Sequence, residues 1–416
     1  MTRRLHIDVT SLWGRTAPAV GITRVVAELA GAVRGLSADN RAWRYDFRRQ
    51  RMVPVDWTEL DMASASQGPK RRASPETGGI RHAIRRLPGI SLVARLLRAL
   101  HRRIMRLLAP RNFPLLSSND CFVFADIIHD GEQLTTCRRM IEHSEGPAVF
   151  YCHDLIPVRF RQFVGQQTSA FFEELLGVFS TPTTHTLCNS LATLRDLEDW
   201  RRQRQLECPP AALLSPGGNI SACDERALVK PSGNAFAAPF LLFVSTIEIR
   251  KNHRVLIDAY AMLMEQGRTD LPLLVFAGQR GWMVEDLLAE IDLGKGACSY
   301  VRIVENLSDA ELCELYAGSL FTVYPSFYEG WGIPVAEALT LGKLCICSDR
   351  GSLPEVAQGL LPLLDPHSPA AWAAAIADYL DHPERFAQQE DRIRQDYHPR
   401  GWHDFRAEAQ RALANV

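Results

Sequence analysis

Short runs of apolar, β-branched and aromatic residues alternate with helical patterns along most of the chain. This alternation predicts βαβ units and parallel sheets, so the expected fold class is α/β. The predicted strands are 5–9, 121–125, 148–152 and 184–188 in the first half, and 240–245, 273–278, 300–304, 320–325 and 344–348 in the second. A helix is predicted after Ser308, because Ser308 and Glu311 have the spacing of a capping box.

The pattern of strands and helices stops and restarts around residues 230–239, which are polar and rich in structure-breaking residues. A chain of 416 residues is also longer than one hydrophobic core usually serves. We therefore expect two domains that enclose a cleft, with a first domain over 1–232 and a second over 233–396. The remaining residues, 397–416, form an amphipathic tail.

Residues 70–111 differ from the rest of the chain because they contain twelve basic residues and one acid, Glu76, a formal charge of about +11. Within them, 91–109 predicts a cationic amphipathic helix. Its apolar arc comprises Val93, Leu96, Leu97, Leu100, Ile104, Leu107 and Leu108, and its opposite face Arg95, Arg98, Arg102 and Arg106. Such a helix fits an anionic membrane surface. The alternatives are a helix packed on its own domain and a basic groove for a phosphate-bearing acceptor.

The overall composition excludes several classes of protein. With 47 basic and 48 acidic residues, the chain gives no global sign of nucleic-acid binding. Its ten cysteines contain no CxxC motif, which predicts reduced thiols and no zinc site. The N-terminus lacks the apolar run of a signal peptide, and no apolar stretch reaches the roughly 18 residues that span a bilayer. We therefore expect a cytoplasmic protein, associated peripherally with the inner face of the membrane.

The segment 325–342 carries the most specific chemical signal. Gly330 and Gly332 leave backbone N–H groups uncovered where a helix is predicted to begin, and such positions attract anions. Glu329 and Glu337 flank this turn, with Glu337 expected in the first turn of the helix. Because carboxylates accept hydrogen bonds from paired hydroxyls, the segment fits a ligand that carries both hydroxyls and phosphate. For either glutamate alone, the alternative is that its charge only compensates the dipole of the helix.

Three further segments supply candidate site residues. Arg250, Lys251 and His253 follow the first strand of the second domain, where cations point into the cleft and could stabilise a departing diphosphate. His153 ends a strand of the first domain and could bind a sugar hydroxyl, oriented by Asp154. A solvated basic pair and a structural histidine remain the alternatives. The chain has no GxGxxG after its first strand and no GxxxxGK[ST], GxSxG or HExxH motif.

The sequence Glu329, GWGIPVA, Glu337 resembles the signature of the retaining glycosyltransferases of family 4. This resemblance implies a GT-B fold, in which two Rossmann-like domains with parallel sheets face a central cleft. It also implies that Glu329 lies near the donor sugar, that Glu337 holds the ribose of the sugar nucleotide, and that the amides of Gly332 and Ile333 face the donor. In the same fold the tail, 397–416, is expected to pack back on the first domain.

The resemblance assigns roles to other positions as well. Lys251 and Asn252 match the turn that grips the donor diphosphate, although Thr246 stands where many relatives have arginine, and Arg250 is the expected substitute. His153 matches the histidine that faces the donor sugar. Gly21 belongs to a GIxR-like loop near the donor phosphates, in which Thr23 and Arg24 are candidates. The cleft-lining stretches are expected at Asn189, Ser190 and 217–219.

These residues lead to the hypothesis of a retaining hexosyltransferase. It would move mannose from GDP-mannose to a lipid-linked or oligosaccharide acceptor of a bacterial surface polysaccharide, such as lipopolysaccharide or capsule. No metal is required, because cations and helix amides take over its charge role. Two alternatives stay open: a GT-B sugar-nucleotide epimerase, which needs no acceptor, and a catalytically silent scaffold that binds glycan at the membrane.

Overall fold

The computed structural model describes residues 3–13, 21–60, 113–114, 116–220, 223, 236 and 238–416. In the first half, these residues form the strands β1 (Arg4–Asp8), β2 (Arg41–Asp46), β3 (Arg51–Val55), β4 (Asp120–Phe124), β5 (Ala148–Cys152), β6 (Thr184–Cys188) and β7 (Ala212–Leu213). The helices of this half are α1 (Ile22–Leu36), α2 (Gly131–His143), α3 (Ile156–Arg159), α4 (Gln166–Val178) and α5 (Leu191–Gln203).

The second half repeats the alternation of strands and helices. Its strands are β8 (Phe240–Val244), β9 (Leu273–Ala277), β10 (Val301–Val304), β11 (Thr322–Tyr324), β12 (Cys345–Ser348) and β13 (Leu363–Leu364). Its helices are α6 (His253–Glu265), α7 (Glu285–Leu293), α8 (Asp309–Gly318), α9 (Ile333–Thr340), α10 (Leu353–Ala357), α11 (Pro369–Asp381), α12 (Pro383–Asp396) and α13 (Trp402–Ala414).

The described strands belong to two separate sheets. The first has the order β3-β2-β1-β4-β5-β6-β7, and the second has the order β10-β9-β8-β11-β12-β13. Adjacent strands are parallel, except that β3 runs antiparallel to β2. In each sheet the strand order reverses beside the first strand, between β1 and β4 and between β8 and β11. Open α/β sheets bind ligands outside the carboxyl ends of their strands at such reversal points.

Helices cover both faces of the first sheet, as the near-continuous apolar composition of parallel strands requires. One face packs Ile7 against Leu29 of α1 and Phe405 of α13. The other face packs Phe122 against helices α2, α4 and α5, with Leu176 among the buried residues. The second sheet has one continuous core, so each sheet forms its own hydrophobic unit.

All nine predicted strands are confirmed, with bounds that shift by two residues at most, and the predicted α/β class is correct. The helix after Ser308 is also present, with the predicted capping box to Glu311. The sequence pattern missed four of the described strands, β2, β3 and the two-residue strands β7 and β13. Arginines interrupt the apolar pattern of β2, and Pro54 lies in β3, an edge position where a missing N–H donor is tolerated.

The C-terminal helix α13 contacts α1 of the first sheet. Trp402 and Phe405 of α13 are buried in the same cluster as Val25 and Leu29, and Nε of Arg406 lies 2.6 Å from Oε2 of Glu28. The chain therefore ends on the layer that its first helix forms. The exact domain boundary proposed at 232/233 stays a prediction.

Cys223 and Cys313 form a disulfide across 90 positions of sequence, so the prediction of ten reduced thiols is wrong for this pair. The spacing of cysteines along the sequence reveals only local pairs, whereas Cys313 of α8 meets Cys223 through the folding of the chain. The other eight cysteines are free, and seven of them are buried.

We expect a thiol titration of the unfolded chain, purified without reductant, to find eight thiols, because the Cys223–Cys313 bond survives unfolding. The same titration after reduction is expected to find all ten cysteines of the chain. The variant Cys313→Ser is the control, because it releases Cys223 and adds one thiol to the non-reduced count. Ten thiols in the non-reduced wild-type chain would contradict this disulfide.

Candidate active site

The chain leaves β8 through a short 3₁₀ turn, Ile249–Lys251, and enters α6 at His253. Asn252 joins the two with a left-handed backbone at a φ of 59°, a conformation that asparagine adopts more readily than most residues. Its buried side-chain amide donates to the carbonyl oxygens of Pro325 and Pro366 at 3.1 and 2.8 Å. Asn252 therefore fixes the turn beside the end of β11, rather than offering its side chain to a diphosphate.

Glu329 lies between two cations beside the end of β11. Its Oε1 is 2.7 Å from Nζ of Lys251, and its Oε2 is 2.8 Å from Nη1 of Arg250. Arg250 also donates from Nη2 to Glu248 at 2.7 Å, and Lys251 donates to the hydroxyl of Tyr324 at 2.9 Å. We call Glu248, Arg250, Lys251 and Glu329 the ion cluster, and its side chains are between 3% and 16% exposed.

The charges of the ion cluster stabilise one another. Burial acts to raise the pKa of Glu329, but Arg250 and Lys251 outweigh it and lower the pKa to about 2. Burial and Arg250 lower the pKa of Lys251, and Glu329 opposes them. For Arg250, Glu329 and Glu248 overcome the effect of burial and raise the pKa. The carboxylate of Glu329 therefore stays ionised at neutral pH.

The glycine turn after Glu329 brings the backbone close to its neighbours. A Cβ atom at Gly330 would lie 2.2 Å from the carbonyl oxygen of His153. Gly332 has a φ of 102°, and a Cβ there would lie 2.7 Å from Cδ2 of Leu353. Only glycine fits these two positions without displacing a neighbour. The turn therefore delivers the N-terminus of α9, beginning at Ile333, next to the ion cluster.

Glu337 is buried in the second turn of α9, so the expectation of a place in the first turn is wrong by about one turn. Its Oε2 accepts a hydrogen bond from the hydroxyl of Tyr316 at 3.1 Å, and its Oε1 is 4.0 Å from Nη1 of Arg24. Burial raises the pKa of Glu337 to about 7, although Arg24 acts in the opposite direction. This carboxyl is therefore poised to change its charge near neutral pH.

His153 follows β5 in the first sheet. Its Nε2 lies 2.8 Å from the carbonyl oxygen of Ala125 and, because a carbonyl only accepts, Nε2 carries the proton. Burial lowers the pKa of His153, so Nδ1 of the neutral ring keeps a lone pair. Asp154 instead accepts from the backbone N–H of Ile156 at 3.0 Å. The expectation that Asp154 orients His153 is wrong, because Ala125 does so.

The candidate loop near the N-terminus meets the site through Arg24. Gly21 precedes α1 with a φ of 55°, and its carbonyl accepts the backbone N–H of Arg24 at 3.1 Å. The guanidinium of Arg24 lies 5.1 Å from the ring centre of Trp402 in α13 and near Glu337 of α9. The start of α1, α9 and α13 therefore converge at one place.

The two cleft-lining stretches of the first half also adjoin the glycine turn and α9. Asn189 donates from Nδ2 to the carbonyl of His153 at 2.5 Å, and Ser190 caps α5 by accepting the N–H of Thr193 at 2.9 Å. A Cβ at Gly218 would lie 2.6 Å from Cβ of Ala336. These stretches bring the first half of the chain against the second.

Two candidate residues that follow β8, Thr246 and His253, are not part of the ion cluster. Thr246 is exposed and lies beside Gly281. His253 is buried between the rings of Phe243 and Phe276, and burial lowers its pKa to about 3. His253 is a neutral core residue, so the expectation of a third cation in the cleft is wrong.

The sequence patterns missed four residues that support the site. Glu248 holds Arg250, and Tyr324 contacts Lys251. Tyr328 donates from its hydroxyl to Asp196 of α5 at 2.6 Å. Glu248 and Tyr324 each adjoin a predicted strand end, which is a usable signal, but nothing in the sequence links Tyr328 to Asp196.

The cationic segment 70–111 lies outside the described residues, so its membrane contact stays a prediction. No helix in the part of the chain that the structure describes has both the length and the apolar character to cross a membrane. Within the same part, no three His, Cys, Asp or Glu side chains group together in a way that could hold a metal ion.

Sequence comparison places residues 225–396 in the family described as glycosyl transferases group 1. The O-antigen chain mannosyltransferase B of Escherichia coli is 37% identical over 141 residues, which cover 34% of this chain and 36% of that protein. The serotype-specific mannosyltransferase WbdA of Escherichia coli is 26% identical over 317 residues, which cover 73% of this chain and 37% of that protein. The chain thus spans about a third of the length of these curated relatives.

Solved structures of other proteins share this fold. Anabaena HepE, in its complex with UDP-glucose, superimposes with a TM-score of 0.62 at 14% identity and full coverage of both chains. The sucrose-phosphate synthase of Thermosynechococcus elongatus gives a TM-score of 0.61 at 16% identity, covering 99% of this chain and 98% of that one. The two parallel sheets therefore form a GT-B fold, and residues 225–396 match the group 1 glycosyltransferases.

Proposed function

We propose that this glycosyltransferase moves mannose, with retention of configuration, from GDP-mannose to a hydroxyl of a growing bacterial surface polysaccharide. The observation that carries the proposal is the contact of Glu329 with Arg250 and Lys251, at 2.8 and 2.7 Å, at the reversal point of the second sheet. The choice of sugar and acceptor is supported by the two mannosyltransferase relatives, one of which is named for the O-antigen chain.

In the proposed reaction, the bond between C1 of the sugar and the diphosphate breaks, and a bond from C1 to the acceptor oxygen forms on the same face. The acceptor proton passes to the leaving diphosphate, so no separate base is assigned. Arg250 and Lys251 stabilise the negative charge that develops on the diphosphate. Of the three N–H donors of Lys251, the contacts to Tyr324 and Glu329 among the described residues use two, which leaves one for a phosphate oxygen.

The remaining candidates position the donor. Nδ1 of His153 accepts from a sugar hydroxyl, Glu329 accepts from another, and Glu337 accepts from the ribose hydroxyls. The amides of Gly332 and Ile333, at the positive end of α9, face the donor phosphates. We propose that Thr246, Gly21 and Gly330 contact the donor through their backbones or make minor contacts with it. Fixed cations and helix amides supply the charge compensation in this scheme, so it assigns no role to a metal.

We also propose a lipid-linked acceptor and a location at the inner face of the membrane. This part rests on the charge of residues 70–111 in the sequence, and recovery with anionic liposomes in a flotation assay checks it.

Donor and acceptor are tested together with the wild-type protein. We expect GDP and GDP-mannose to raise the melting temperature more than UDP and UDP-glucose, because a ligand that binds only the folded state stabilises it. Incubation of GDP-mannose with an oligomannoside is expected to yield an extended α-linked product. Stabilisation by uridine nucleotides alone would overturn the donor assignment, and an epimer formed without acceptor would overturn transfer.

Replacement of Lys251 by Met removes its charge at similar volume. We expect kcat to fall about 10²–10³-fold, because one stabilising donor to the leaving group is lost, whereas Lys251→Arg retains part of the activity. The matched control is Lys343→Met, since Lys343 is a similarly buried lysine whose Nζ lies 3.5 Å from Oε1 of Glu390. Both Met variants lose a buried ion pair and stability, so a comparable loss of kcat in the control would contradict the role of Lys251.

The raised pKa of Glu337 predicts a pH dependence of donor binding. Below about 7 the carboxyl is protonated and must lose its proton to accept from both ribose hydroxyls, so affinity for GDP-mannose should rise as the pH increases from 6 to 8. The slope approaches tenfold per pH unit well below the pKa and vanishes above it. Calorimetric titration of Glu337→Gln is the control and is expected to show weaker binding without this slope. An identical pH profile in both proteins would refute the assignment.

A further inference from the structure

The segment 328–330 is held by both halves of the chain. The side chain of Glu329 is bound within the second half by Arg250 and Lys251. The adjacent side chain, Tyr328, points the other way and contacts the first half. Two consecutive residues thus anchor one loop to the two halves of the chain, and the position of Glu329 depends on both anchors.

The contact of Tyr328 with the first half is a hydrogen-bonded chain that we call the clamp: Tyr328, Asp196 and Arg159. The hydroxyl of Tyr328 donates to Oδ2 of Asp196 at 2.6 Å, and Nη1 of Arg159 donates to Oδ1 of the same carboxylate. The ring of Tyr328 packs on Phe160 with the ring centres 4.7 Å apart. Asp196 is 7% exposed, so water screens the bond little. Hydrogen bonds to a charged acceptor are among the stronger ones in proteins.

The next residue, Gly330, brings the same segment against the candidate sugar-binding residue of the first half. The carbonyl of His153 lies 2.2 Å from where a Cβ at Gly330 would be, and Nδ2 of Asn189 donates to that carbonyl at 2.5 Å. Because the backbone of Gly330 contacts that of His153, Glu329 can shift little relative to His153. Glu329 is therefore held on both sides, by the clamp through Tyr328 before it and by the backbone contact of Gly330 after it.

We propose that Tyr328 and Asp196 are positioning residues that hold Glu329 opposite His153 across the cleft. The proposal rests on the roles of Glu329 and His153 in the proposed function. The clamp acts on the relative position of two groups that would contact one donor sugar, so it should influence the reacting geometry more than the affinity for nucleotide. Small misplacements of such groups lower the rate strongly.

The test combines Tyr328→Phe, Asp196→Ala and the double variant in steady-state kinetics. We expect each single variant to lower kcat about tenfold, with the Kd for GDP within about threefold of the wild type, and the double variant to be no worse than either single one, because both changes break one bond. Asp196→Asn keeps an acceptor for the hydroxyl and should restore most of kcat.

The matched control is Asp199→Ala, an exposed aspartate on α5 that pairs with Arg202 instead of the clamp. It is expected to leave kcat unchanged. The proposal would be overturned if the losses of kcat in the two single variants multiplied in the double variant. It would also be overturned if the variants lost thermal stability without any loss of kcat. A failure of Asp196→Asn to recover activity above that of Asp196→Ala would have the same consequence.

Small-angle scattering separates failure of the clamp from failure of the proposed function. Loss of the clamp is expected to increase the radius of gyration of Tyr328→Phe and Asp196→Ala, since one tie between the two sheets is broken, and to leave Asp199→Ala unchanged. The wild type could transfer no sugar from any donor while the radius of gyration of the clamp variants increases as expected. That result would refute the proposed function but support the clamp as a contact that holds the two halves together. An unchanged radius together with unchanged kcat overturns the clamp.

Discussion

The site depends on one buried carboxylate, Glu329, which two cations hold at the place where the strand order of the second sheet reverses. Removing charges from water is costly, and a buried ion pair often stabilises a fold no more than apolar residues of the same size would. The complete ion pairs of Arg250 and Lys251 therefore give the fold little more stability than apolar residues would, although removing one partner alone is destabilising. In the proposed function, fixed charge at this position instead serves chemistry, because a dry site strengthens every electrostatic interaction with a bound ligand.

The glycines around Glu329 explain how two separately folded sheets can share one site. Gly330 permits contact with the backbone of His153, and Gly218 permits contact with Ala336 of α9. Each sheet has its own apolar core, so these close approaches, the packing of α13 on α1 and the contacts of Tyr328 set the relation between the halves. A side chain at Gly330 would push the halves apart at the point where, in the proposed function, both contact the donor.

The sequence predicted the parts that depend on local pattern and missed those that depend on long-range contact. Apolar runs located nine strands because strands of parallel sheets are buried on both faces. The same reasoning wrongly placed His253 in the cleft. A polar residue after a strand has the same local sequence pattern whether its side chain faces a cleft or the hydrophobic core. The Cys223–Cys313 bond and the contact of Tyr328 with Asp196 join residues 90 and 132 positions apart. No local pattern encodes such pairs.

Charge balance within the ion cluster bears on selectivity. Arg250 and Lys251 already contact the carboxylates of Glu248 and Glu329, so the cluster is close to neutral. A pocket with unpaired cations would bind any phosphate tightly. In the proposed scheme, inorganic phosphate gains little here, because it must share donors that carboxylates occupy. In the same proposed scheme a sugar nucleotide also contacts His153 and the residues of α9, and those additional hydroxyl contacts favour the complete donor over its phosphate fragments.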